Sequence, residues 1–499
     1  MFLRRTISLL VLILIPLGFF GICNPAFLFL SKLQFGQFFL DISVKTAVLC
    51  FSILLITFVF GRIYCSLLCP LGTFQDIAGA LSTSLTGKKY SFHRDYKFFR
   101  YLLFIFVIAL FILGLPALIV ILDPYSIYVR GASGLLDQAA GAVIGIMEPV
   151  LRNLNIYYYY SSGSIGFSSV LLLIMVFFAA FFRGRFFCNT VCPIGMILGC
   201  ISQASVLHPT FNENCISCGK CEAICKAECI SVSDKLIDRS RCVMCGNCAK
   251  VCCVAAMDFS KRIIQQDNEK RKTIKSIASM ALFIVLPLIK TKKFLMNTHA
   301  FSGLAGKIAK SDLYPQIPPG AMSWARFLDK CIGCHACIKR CPSKVLDYAG
   351  LRFGLNGALK PMLNFSKGFC QYDCVVCGET CPFGAITPID TGEKHKIQAG
   401  IASYNRGLCV ITTSGERCGA CAEHCPTGAL EMVPDENNHV PIPAIIQKLC
   451  VGCGACEYIC PVIPQKAIIV NPLPVHQTAE ILKTQNNSTV EERDDDFKF

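Results

Sequence analysis

Four groups of cysteines follow one another between Cys331 and Pro461: Cys331, Cys334, Cys337 and Cys341; Cys370, Cys374, Cys377 and Cys381; Cys409, Cys418, Cys421 and Cys425; and Cys450, Cys453, Cys456 and Cys460. The first and last keep the spacing C-x2-C-x2-C-x3-C-P, the second opens with C-x3-C, and the third opens with C-x8-C. In this pattern three close thiolates each hold a corner of an iron-sulfur cube, and the fourth, before proline, serves a different cube. Sixteen cysteines so arranged imply four [4Fe-4S] clusters. Zinc wants a tetrahedron, usually from two separated pairs, and disulfides would not repeat one metal spacing four times. Cys331 to His335 also reads C-x-x-C-H, but Cys337 and Cys341 complete a quartet around it, so no haem is expected.

Which quartets exchange fourth ligands is open at this stage. Motifs one and four are regular while two and three are not, which favours a nested pairing of one with four and two with three; consecutive pairing competes with it. Upstream, Cys215, Cys218, Cys221 and Cys225 with Cys242, Cys245, Cys248 and Cys252 read as a two-cluster ferredoxin, Cys252 closing the first cube and Cys225 the second. Lys226 and Cys253 replace the usual prolines, leaving the choice between Cys252 and Cys253 open. The total is six clusters.

A second repeat could add a seventh. Gly61-Arg62-Ile63-Tyr64-Cys65-x3-Cys69-Pro70-Leu71-Gly72 recurs as Gly184-Arg185-Phe186-Phe187-Cys188-x3-Cys192-Pro193-Ile194-Gly195. Cys65, Cys69, Cys188 and Cys192 could converge on one additional cluster or form a redox-active edge beside a quinone. Arg62 and Arg185 are placed to meet lipid phosphate or a cluster's negative charge.

These residues need elements to position them. The 499-residue chain is 53% hydrophobic and 16% charged, and its net charge of +15 gathers beside apolar runs, so no nucleic-acid partner is expected. Residues 8–23, 44–61, 99–122 and 166–183 each approach the roughly 20 residues of a membrane span, and the shorter run 276–289 would make a fifth. The basic loop between the second and third runs puts the N-terminus inside by the positive-inside rule. The expected fold is an α-helical membrane domain of four to five spans plus α+β bacterial-ferredoxin-like iron-sulfur domains. Its parts are 1–207, with both C-x3-C-P motifs and an apolar stretch after Pro193 along the membrane surface; a two-cluster domain, 208–262; a linker, 263–322; a four-cluster domain, 323–474; and a disordered tail, 475–499. Short strand and turn segments are expected after the Cys-Pro elements, at Lys344–Asp347, Gly384–Thr387 and Lys466–Val470.

Residues 1 to about 262 resemble the NapH-type membrane ferredoxins of periplasmic nitrate-reductase systems, through the two C-x3-C-P motifs followed by a two-cluster ferredoxin. From about residue 270 the chain resembles the NapG-type partner, including Pro318-Pro319-Gly320-Ala321 before Cys331 and the wide gap from Cys409 to Cys418. It departs in its missing prolines and in lacking a plain twin-arginine signal on the second half. The resemblance implies a fusion acting as an inner-membrane quinol dehydrogenase, multi-pass, with its C-terminal domain periplasmic and a reductase or electron carrier as partner. Related NosR-type proteins add a flavin domain, but no flavin-attachment motif is seen, so no covalent flavin is expected.

Quinol oxidation would release protons to a nearby side chain. Asp76 and His93 on the inner side and Asp123 and Tyr125 on the outer are the candidates. No Gly-rich nucleotide loop stands out, which argues against direct use of NADH. Two other readings compete: cytoplasmic ferredoxin-to-quinone transfer, and an accessory factor that matures a partner metalloenzyme.

Overall fold

The computed structural model describes residues 2–19, 24–36, 44–93, 96–112, 121–153, 167–261, 314–435 and 440–481. The run 276–289 and the chain beyond residue 481 lie outside them. The apolar runs form α1 (Phe2–Phe19), α3 (Val44–Phe60), α5 (Lys97–Ile112) and α7 (Phe167–Arg183), joined by α2 (Asn24–Lys32), α4 (Pro70–Thr86), α6 (Pro124–Asn153) and α8 (Pro193–Ser202).

The expected four to five spans are overturned. Among the described residues no helix is long and apolar enough to cross a membrane. The cause lies at the helix ends. α3 and α7 have 17 residues each, about 26 Å at 1.5 Å per residue against roughly 30 Å of hydrocarbon. Each is closed by a glycine in the left-handed region, Gly61 at φ 69° and Gly184 at φ 55°, which turns the chain into its C-x3-C-P segment. α5 has 16 described residues, and α1 carries Arg4 and Arg5 near its start and Pro16 within it. The stretch after Pro193 is likewise no surface helix: α8 is buried along most of its length and packs on α3.

The two-cluster module is tied by two antiparallel pairs. β1 (Leu207–Phe211) pairs with β4 (Met257–Lys261), Phe211 opposite Met257, and β2 (Ile230–Ser231) pairs with β3 (Leu236–Ile237) between the two cysteine motifs. The four-cluster module repeats this scheme. β8 (Leu430–Val433) and β9 (Ile442–Ile445) form the hairpin between motifs three and four, while β7 (Ile397–Tyr404) and β10 (Ile468–Thr478) clasp that unit from outside. β5 (Leu346–Tyr348) and β6 (Pro361–Leu363) form the hairpin between motifs one and two. Of the three expected strand and turn segments, those near 346 and 468 form strands, and Gly384–Thr387 is bend and irregular chain.

One hydrophobic core joins the helical domain to both modules. It holds Leu54, Leu71, Tyr125 and Leu198 together with Val243 of the two-cluster module and Ile332, Cys334 and Ala336 of the four-cluster module.

Candidate metal centres

The hairpins decide which quartets share ligands. Cys425 lines one hollow with Cys450, Cys453 and Cys456, and Cys460 lines another with Cys409, Cys418 and Cys421. Cys381 stands among the nearest charges to Cys331, Cys334 and Cys337, and Cys341 among those to Cys370 and Cys377. The pairing is therefore consecutive, not nested, because each hairpin folds its two flanking motifs onto one another. In the two-cluster module Cys252 shares a hollow with Cys215, Cys218 and Cys221 while Cys253 is exposed, and Cys225 sits beside Cys242, Cys245 and Cys248.

The donor sets fit [4Fe-4S] clusters. Each hollow offers four thiols and little else that could bind metal, and backbone N–H groups point at the sulfurs: Ala256 N to Cys252 Sγ at 3.1 Å, Gly333 N to Cys331 Sγ at 3.3 Å, Ala402 N to Cys450 Sγ at 3.4 Å. Among the described residues no three potential ligands crowd as a single ion would require, whereas a cube needs its thiolates spread over its corners.

The C-x3-C-P repeats meet as a pair, and each conserves its chemistry by reaching into the other. Arg62 Nη2 donates to the Cys188 carbonyl at 3.0 Å, and Arg185 Nη1 donates to the Cys65 carbonyl at 2.8 Å. Cys69 and Cys192 each precede a helix-opening proline, and Cys192 Sγ accepts from Gly195 N at 3.3 Å. A methyl group on Gly72 or Gly195 would stand 2.2 or 2.1 Å from the carbonyl oxygen of Cys65 or Cys188 in its own repeat, and 3.5 or 2.9 Å from the arginine that reaches in from the other repeat, so the last glycine of each repeat lets the segment fold onto itself beside that arginine. All four thiols are buried, and burial raises Cys69, Cys188 and Cys192, each with others of the four among its neighbouring charges. Gln75 Nε2 donates to Cys188 Sγ at 3.0 Å, and Arg62 Nη2 lies 3.9 Å from Cys65 Sγ.

This chamber touches the two-cluster module directly. Arg62 Nη1 donates to the Ser240 carbonyl at 2.8 Å, and Lys226, the residue in place of proline, donates from Nζ to the Asp76 carbonyl at 2.9 Å. On its other side Tyr64, with Cys69 and Asp123 among its charged neighbours, donates to Gln34 Oε1 at 3.1 Å. Tyr125 then reaches the four-cluster module, its ring edge-on to Phe383 at 5.9 Å, with Cys334 and Cys381 beside it. Arg130 Nη1 donates to the Gly333 carbonyl at 3.4 Å. Within that module Cys370 N donates to the Cys453 carbonyl at 2.9 Å, joining the inner cluster pair to the outer.

The proposed proton acceptors separate. Asp76 takes both Arg185 Nε and Nη2 at 2.8 Å; burial raises its pKa, but Arg185 together with Lys226 and Arg4 outweighs that and holds it below the ordinary value. His93 Nδ1 lies 3.1 Å from Glu228 Oε2 where the two-cluster module docks. Asp123 caps α6, accepting from Ser126 N at 2.8 Å through Oδ2. Its Oδ1 is buried without a hydrogen-bond partner, and burial raises its pKa. Tyr125 shares a 2.7 Å hydrogen bond with Ser31. Two residues escaped the sequence reading. Gln75 carried no signal, and Cys229, which belongs to none of the cysteine motifs, lies 3.6 Å from Cys225 Sγ and bonds Cys242 as well.

Comparison with known proteins agrees with these centres. Residues 416–463 and 238–345 match patterns described as 4Fe-4S dicluster domains. Residues 46–90 and 165–210, which hold the two C-x3-C-P segments, match a 4Fe-4S binding domain, as do 212–228. The chain is similar to the ferredoxin-type protein NapG of Escherichia coli (strain K12), 29% identical over 37% of this chain and 83% of the relative. It is also similar to the methylamine utilization ferredoxin-type protein MauM of Methylophilus methylotrophus, 28% identical over 31% and 70%. A third relative is the ferredoxin-type protein NapF of Escherichia coli (strain K12), 28% identical over 29% and 79%. No solved structure matches. Cysteine hollows and relatives together make this a ferredoxin-type iron-sulfur electron-transfer protein.

Proposed function

We propose that the chain is an electron relay that oxidises quinol at its helical domain and delivers the electrons to a reductase or carrier protein docking on the four-cluster module. Each bound cluster would supply a one-electron store at its thiol quartet. The observation that carries the reading is continuity: the helical domain meets the two-cluster module through the hydrogen bonds of Lys226 and Arg62, shares one packed core holding Tyr64, Tyr125 and Cys334 with the four-cluster module, and that module is joined within by the Cys370 to Cys453 hydrogen bond.

A quinol gives up two electrons and two protons, so it needs an acceptor for the protons. Asp123 suits that role. Its unpartnered Oδ1 faces Gly36, where a methyl group would stand 2.4 Å from that oxygen, and its raised pKa favours holding a proton. Asp76 serves Arg185 instead. The apolar faces of the helices remain exposed at Ile13, Phe51, Phe98, Ile105 and Phe178, and such a surface calls for an apolar partner. Lipid, in which quinol dissolves, supports placing the protein at the bacterial cytoplasmic membrane, with the four-cluster module toward the periplasm. The likeness to NapG, together with the C-x3-C-P segments, supports reading the chain as a fusion of NapH-like and NapG-like parts.

A menaquinol analogue added anaerobically should bleach the clusters of the full chain, and Asp123→Asn should slow the bleaching at least about ten-fold with dithionite-reducible iron unchanged. Bleaching by dithionite but by no quinol would sink the quinol reading. A C-terminal reporter tested on intact and opened cells decides the side.

A further inference from the structure

The geometry points to a seventh [4Fe-4S] cluster held by Cys65, Cys69, Cys188 and Cys192, joining the two-cluster module to the four-cluster module; the joining role rests on the relay reading above. The donor set is four buried thiols, none in a disulfide. Two independent features show that the chamber is built for negative charge. Arg62 is completely buried, yet its acceptors are the Asn189 side-chain oxygen, the Ser240 and Cys188 carbonyls and the Cys65 sulfur, with no carboxylate among them, and its Nε has no partner. Gln75, also buried, turns its amide N–H onto Cys188 Sγ. Arginine keeps its charge, and a buried one needs a counter-charge.

The occupant is a cluster rather than one ion. The four sulfurs do not gather at a point, and as in the ferredoxin quartets a backbone N–H is directed at one sulfur, while a glycine lets each segment fold tightly onto its own first cysteine. A cluster carrying four thiolates has net negative charge and would neutralise Arg62 in place. Location gives it its role. The chamber is walled by Ser240, Lys226 and Met244 on the side of the two-cluster module, where a methyl on Gly61 would stand 3.0 Å from Met244 Cγ, and by Tyr64 on the side leading to Tyr125 and Cys334.

The test is the metal content of the anaerobically prepared full chain. Seven cubes give about 28 iron and 28 sulfide per chain, six give about 24. Wild type should approach the higher figure, and Cys69→Ser/Cys192→Ser should lose about four iron while keeping its circular dichroism and the EPR signals of the other six. Electrons introduced at the two-cluster module should then reach the four-cluster module at least about ten-fold more slowly. A wild-type count of about 24 overturns the proposal whatever the variant does, including a variant that fails to fold. A count of about 28 with transfer between modules undiminished in the variant overturns the joining role. Quinol bleaching of wild-type protein succeeds or fails independently of the count, so the two readings fail separately.

Discussion

The ferredoxin modules and the C-x3-C-P chamber arrange the same chemistry in opposite ways. In the modules three of each four ligands lie within a dozen residues, and their sulfurs take most hydrogen bonds from close neighbours in sequence, such as Gly333 N to Cys331 and Ser343 Oγ beside Cys341. In the chamber each segment brings two ligands, and beside the local donor Gly195 N to Cys192 side chains cross between segments over 100 residues apart, Gln75 to the Cys188 sulfur and Arg185 to the Cys65 carbonyl. A module is a local solution that survives fusion and duplication. The chamber exists only once the helices have packed, so single side chains should matter more there.

The buried ion pair should show the largest difference. Arg185→Leu strips Asp76 of its two-pronged partner and leaves only Lys226, 3.9 Å away, as a close cation, which should cost about 3 kcal/mol by chemical denaturation. The pair Lys367 and Asp347 in the four-cluster module, 2.6 Å apart but 43% exposed at the lysine, should cost under about 1 kcal/mol on Lys367→Ala. The pH dependence follows from the sign of the Asp76 shift. Its folded pKa lies below the unfolded value of about 4, so its contribution is full above that value and is lost as pH falls through the depressed one. Asp76→Asn should remove this acid-side slope. Equal losses at both pairs would erase the distinction between chamber and module.

Glycines offer the next comparison. In the chamber Gly195→Ala sets a methyl 2.1 Å from the Cys188 carbonyl oxygen and 2.9 Å from Arg62 Nη2, which should cost about 1–3 kcal/mol and loosen the chamber. In the two-cluster module Gly219 has φ 74° and open space around it, so Gly219→Ala should cost only about 1 kcal/mol of backbone strain. Thermal melts read both, and accessibility of the chamber thiols to alkylation should rise for Gly195→Ala alone.

The same contrast explains what the sequence revealed. The grouping of the cysteines was legible because cube geometry is written in short spacings, and the structure brings Cys252 to Cys215, Cys218 and Cys221 as that spacing implies. Pairing in the four-cluster module was misjudged from the regularity of motifs one and four, since the deciding feature is the short hairpin between neighbours, Leu346 with Leu363 and Leu430 with Ile445. The spans were misjudged because apolar composition does not say where a helix stops. Gly61 and Gly184 carried that signal, a glycine directly after each apolar run. Asp76 gave no hint of Arg185, 109 residues away, and nothing near Gln75 marked it as a sulfur donor.

Cys229 is the exception that sharpens the comparison, and its effect should be the smallest on stability. In the two-cluster module it behaves like a chamber residue, a side chain satisfying ligand sulfurs. Hydrogen bonding from Cys229 holds Cys225 at about 7 and also lowers Cys242, while Cys229 itself is pushed well up, so Cys229 keeps the proton and donates it. A donor to a ligand sulfur favours the more electron-rich, reduced cluster. Cys229→Ala should therefore cost no more than about 1–2 kcal/mol in a small cavity, leave iron content unchanged, and move the potential of the cube on Cys242, Cys245, Cys248 and Cys225 downward. Cys229→Ser, which keeps a donor, should recover most of that shift. If the alanine variant leaves every potential where it was, Cys229 is packing, and side-chain control of sulfur belongs to the chamber alone.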